Sequence, residues 1–121
     1  MYVVVARLVF HLPAAHSLKD RRRVVSRLKE RMRSRLPASV CEVGDADQAK
    51  SATLALSVTH RDADACRRVL AAARSIGQEV RDAQLLDCAA ELLNFGPGGL
   101  GLRGGIENSL DGGVYDATEL D

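Results

Sequence analysis

The chain has 121 residues, 46% hydrophobic and 27% charged, with a net charge of +1 and no Trp. This suits one small soluble domain with room for a tail, and a core modest enough to gain from oligomerisation. Three cysteines without CxxC spacing (Cys41, Cys66, Cys88) exclude a fully paired disulfide framework and fit partly buried thiols in a reducing compartment. The opening apolar run, broken by Arg7 and His11, is too short to span a bilayer and has no secretory signal pattern. A cytoplasmic protein with no membrane partner is expected.

Residues 2–12, YVVVARLVFHL, are rich in β-branched and aromatic side chains and predict a strand. Tyr2, Val4, Ala6, Leu8, Phe10 and Leu12 make one wholly apolar face. Val3, Val5, Arg7, Val9 and His11 make a mixed one. Such a strand suits an antiparallel sheet covered by helices on one side. Pro13 ends it, having no N–H for the ladder.

Ser17 to Leu36 reads as one amphipathic helix, with Ser17 and Asp20 as a capping-box-like start. Leu18, Val25, Leu28, Met32 and Leu36, with Val24 on the flank, recur at helical spacing and predict the buried stripe. Arg21 falls inside that stripe by angle, so it either snorkels outward or pairs with a carboxylate. The helix holds nine Lys/Arg against two acidic residues, a net +7, while the rest of the chain holds eight against fourteen, a net −6. The small total charge conceals this segregation.

Residues 39–44 read as a second strand and 51–60 as a third, joined by a polar loop containing Gly44 and Asp45. Asp62 or Asp64 caps a second helix with the stripe Cys66, Val69, Leu70, Ala73, Ile76 and Val80, and Gly77 is expected to help terminate it. Residues 83–93, AQLLDCAAELL, suit a helix by propensity, but the topology leaves a place for a strand. From residue 94 to 121 the chain holds eight of its ten glycines and five acidic residues against one Arg, which predicts a flexible acidic tail.

The order β-α-β-β-α-β over residues 1–93 predicts an α+β, ferredoxin-like domain. Its four-stranded antiparallel sheet has the order 4-1-3-2, with both helices on one face. The other face is open, and Val3, Val5 and Val9 on it are candidate interface residues for a homodimer.

Three stretches resemble a known family: His-Ser-Leu-Lys-Asp-Arg-Arg-Arg-Val-Val (His16 to Val25), Cys-Glu-Val-Gly-Asp (Cys41 to Asp45) and Ala-Thr-Leu-Ala-Leu-Ser-Val (Ala52 to Val58). The first is the most specific. They look like the YlxP-like family of small bacterial proteins, a domain of unknown function, over residues 1–93. The resemblance implies a ferredoxin-like fold, a bacterial cytosolic setting, and genes often lying near translation-initiation and ribosome-maturation factors. It carries over no active site.

Three classes of function compete. RNA binding, to ribosomal RNA or a ribosomal subunit, would use Lys19, Arg22, Arg23, Arg27, Lys29, Arg31 and Arg33 on phosphates. Seven Arg against two Lys in the helix favour forked phosphate contacts. The open sheet face offers Val, Arg, Thr and Ser where an RNA-recognition sheet shows aromatics, so structured RNA is the expected target. A metal or enzyme site would need His11, His16, Glu42 and Asp45 at one end of the sheet, yet no histidine pair has ligand spacing. The third class is an interaction module that dimerises through the open face. No catalytic or cofactor motif stands out. The glycine-rich run from Gly96 to Gly105 lacks the Gly-Lys-Ser/Thr of a phosphate loop, and no cofactor is expected.

Overall fold

The structure is a computed structural model, and it describes residues 1–45 and 47–96. Chain order is β1 (Tyr2–His11), α1 (Leu18–Arg35), β2 (Ser39–Val43), β3 (Ser51–His60), α2 (Ala63–Glu79) and β4 (Gln84–Asn94). The strands form one sheet in the order β2-β3-β1-β4, antiparallel at every pairing. This is the ferredoxin-like α+β arrangement expected from the element order.

β1 lies inside the sheet because both of its edges are used. It pairs with β3 from Tyr2↔His60 to His11↔Ser51, and with β4 from Tyr2↔Asn94 to His11↔Gln84. Beyond Tyr2, the N–H of Phe95 donates to the carbonyl of Met1 at 2.7 Å. The β1–β4 register shifts between Val9 and Phe10, which pair with Asp87 and Leu85. Leu86, between those two partners, is left 60% exposed. β4 is a strand despite its helical composition, since pairing along β1 outweighs local propensity.

The apolar face of β1 is buried as the alternation requires: Val4, Ala6, Leu8 and Phe10 are at most 2% exposed. They pack with Val24, Val25, Leu28 and Met32 of α1, Leu54 and Leu56 of β3, and Cys66, Ala73 and Ile76 of α2. Both helices therefore cover one face of the sheet. α1 starts where Ser17 accepts a hydrogen bond from the N–H of Asp20 at 3.1 Å, and α2 where Asp62 accepts from the N–H of Asp64 at 3.1 Å.

Three expectations need correcting. Leu18, the first residue of α1, is 45% exposed and lies outside the buried stripe, which begins with Arg21 and Val24. Gly77 does not end α2. It is buried within the helix, where an added Cβ would meet the Phe10 ring at 3.3 Å and Leu85 at 3.4 Å. Its missing side chain lets α2 approach β1 and β4 closely. Of the cysteines, Cys66 is buried and Cys88 half-buried, but Cys41 is exposed. The tail expected from residue 94 lies outside the described residues from 97 onward.

Candidate functional site

The seven basic residues singled out on α1 separate by what they touch. Lys19 and Arg22 are exposed and Lys29 half-buried, and none has an ion pair among the described residues. Arg23 donates back one turn to Asp20 at 3.1 Å. Arg27 donates to Asp82, in the connection after α2, and Arg31 lies 4.0 Å from Glu79 in the last turn of α2. Arg33 serves the fold instead, since its Nε and Nη2 donate to the Val40 carbonyl of β2 at 3.1 and 2.7 Å. The arginines in the ion pairs of the outer surface are exposed, so each pair contributes little to stability.

Arg21 is the exception on this helix. It is 2% exposed and pairs with the Glu42 carboxylate of β2. Its Nε also donates to the carbonyls of Gln48 and Ser51 at 2.7 and 3.0 Å. A buried guanidinium needs acceptors of this kind. Of the two roles open to it, Arg21 takes the carboxylate pair, and it clamps the β2–β3 connection against α1.

That pairing also accounts for Glu42 at the sheet end where a metal or catalytic cluster was considered. The other members have separate partners. His11 Nδ1 is 3.1 Å from the Lys50 carbonyl, His16 Nδ1 is 3.5 Å from Lys50 Nζ, and the Asp45 carboxylate accepts from the N–H of Asp47 at 2.9 Å. Among the described residues no three His, Cys, Asp or Glu stand together as a metal site. On the open sheet face Val5 is 46% and Val43 37% exposed, while Val3 and Val9 are half-buried. A shallow depression of about 430 Å³ lies there, lined by Val5, Arg7, Val43, Ala55, Ala89 and Glu91 among others.

A larger cleft, of about 480 Å³, opens between the C-terminal half of α1 and the end of α2. Arg27, Arg31 and Arg35 line one wall, and Glu79, Val80, Arg81 and Asp82 the other. Sequence reasoning passed over Arg35 and Arg81. Arg35 lies in the last turn of α1 with Arg33, and Arg81 is an isolated residue in the connection after α2. The four-residue spacing of Arg27, Arg31 and Arg35 was the available signal for Arg35. For Arg81 there was none.

No helix among the described residues is long and apolar enough to cross a membrane. No curated protein matches the chain. Among solved structures, the crystal structure of SnoaB, a cofactor-independent oxygenase from Streptomyces nogalater, aligns with a TM-score of 0.45 and 17% identity, covering 79% of this chain and 95% of that one. A likeness at that level carries no argument about chemistry. The family model described as a protein of unknown function, DUF503, matches residues 3–90. That segment includes β1 from Val3, all of α1 with its cations, and both walls of the cleft, so the candidate surface lies within the family's domain, and the chain belongs to the DUF503 family.

Proposed function

We propose that the protein is a non-catalytic, cytoplasmic RNA-binding protein whose target is structured RNA such as that of a ribosomal subunit. The observation that supports this reading is the division of α1. One side is buried against the sheet, and the other exposes a net positive surface whose acidic partners are weakly held. Exposed ion pairs exchange readily for phosphate, with counterion release as the driving term. On the open sheet face the strands present no Phe, Tyr or Trp, so a folded RNA fits better than an unpaired strand. The resemblance to YlxP-like proteins, with which DUF503 membership is consistent, points the same way through their gene neighbourhood.

Titration of a ribosomal RNA helix by fluorescence anisotropy tests this. Affinity should fall with salt at a log–log slope of roughly −3 to −5, corresponding to about five phosphates. Combined Arg23→Glu, Arg27→Glu and Arg31→Glu should abolish binding. Tight binding indifferent to salt and to these reversals sinks the reading.

A second reading rests on the exposure of Val5 and Val43: a homodimer formed through the open sheet face. Light scattering should then give twice the chain mass, and Val5→Asp with Val9→Asp should return it to one chain. A monomer at high concentration of the unmodified protein removes the dimer.

A further inference from the structure

The cleft between α1 and the end of α2 has a charge arrangement that bracing the helices does not require. Four guanidinium groups (Arg27, Arg31, Arg35, Arg81) face two carboxylates (Glu79, Asp82), an excess of two positive charges. Asp82 accepts from Arg27. Glu79 is shared between Arg31 and Arg35 at 4.0 and 3.9 Å, beyond hydrogen-bond length. Among the described residues, neither the Arg31 nor the Arg35 side chain donates a hydrogen bond, and Arg81 has no ion pair. Glu79 also sits in the last turn of α2, where the helix dipole disfavours an acid and the α1 arginines offset it.

The spacing narrows the ligand. Arg27, Arg31 and Arg35 are four residues apart, which at 1.5 Å per residue sets them about 6 Å apart along the axis. This compares with the step between successive phosphates on an RNA strand. Each guanidinium presents a planar fork of donors matched to phosphate oxygens.

We infer that this cleft is a phosphate-binding groove that takes consecutive phosphates of an RNA strand. Arg27, Arg31 and Arg35 hold the phosphates and Arg81 closes on them from the opposite wall. Glu79 and Asp82 are internal counterions that the ligand displaces. The inference rests on the RNA-binding reading and deepens it, by moving the main contact from the length of α1 to its C-terminal half and by adding Arg35 and Arg81. It also sets a sign: removing the two acids should tighten binding, because the ligand no longer competes with them.

The test uses the full chain, a ribosomal RNA helix and anisotropy at fixed salt. Arg35→Glu with Arg81→Glu should weaken binding about tenfold or more. Glu79→Gln with Asp82→Asn should tighten it several-fold. Glu30→Gln removes one negative charge from α1 outside the cleft, and it should change affinity much less than Glu79→Gln alone. If Arg35→Glu/Arg81→Glu binds like the unmodified protein while a combined Lys19→Glu, Arg22→Glu and Arg23→Glu variant, reversed outside the cleft, does not bind, the cleft is overturned and the RNA reading stands. If the unmodified protein binds no RNA, the RNA reading falls and pyrophosphate decides the cleft. Shifts in the Nε–Hε NMR signals of Arg27, Arg31 and Arg35 that disappear in Arg35→Glu/Arg81→Glu assign it to free polyphosphate. No shifts overturn it.

Discussion

Arg21, near the start of α1, is 2% exposed and directs its guanidinium at one carboxylate and two carbonyls. Arg31 and Arg35, near its end, have side chains 42% and 52% exposed, and each has only a distant carboxylate. The residue type and the helix are the same, and desolvation separates the two cases. A guanidinium removed from water is tolerable only when its donors are met, so Arg21 became a fixed part of the β2–β3 connection. A guanidinium left in water has no such requirement, so the later arginines keep weak partners and stay available to a ligand.

Removing the closed end should produce the larger effect. Arg21→Met strands the Glu42 carboxylate and the carbonyls of Gln48 and Ser51, and it should cost about 3–5 kcal/mol of unfolding free energy in urea. For a domain this small, that is a large share of its stability. Glu42→Gln in the Arg21→Met background should restore part of the loss, since the stranded charge is then gone. A cost under about 1 kcal/mol for Arg21→Met would mean that water reaches the guanidinium site, and the contrast between the two ends of α1 would collapse.

The two ends were not equally legible. The alternation in Tyr2 to Leu12 placed β1, and the Val25–Leu28–Met32 stripe placed α1 on the sheet, because burial imposes its period on the sequence. Arg21 was visibly out of place in that stripe, and so a partner was expected. Its identity was left open, since Glu42 lies on another element and periodicity along one helix says nothing about what faces it. The cleft depends on distant residues in the same way. Glu79 and Asp82 come near α1 only through the return of α2 across the sheet, so the basic surface read as more uniformly free than it is. Gly77 misled for a related reason. Near a helix end glycine suggests a stop, and only the approach of the Phe10 ring shows that close packing is its role here.

Removing the open end should produce the smaller effect. Arg27→Ala, Arg31→Ala and Arg35→Ala should each change unfolding free energy by no more than about 0.5 kcal/mol, because exposed pairs return little more than the side-chain entropy needed to hold them. The same urea transitions that register Arg21→Met would resolve a larger change. A loss of about 2 kcal/mol at Arg35, removed by high salt, would make the Glu79 contact a working brace between α1 and α2. A phosphate entering the cleft would then have to break that brace, and affinity and stability would move in opposite directions. If stability stays flat while RNA affinity falls across the three substitutions, the arginines at the end of α1 are held in reserve for a ligand, and Arg21 remains the arginine whose burial the fold itself requires.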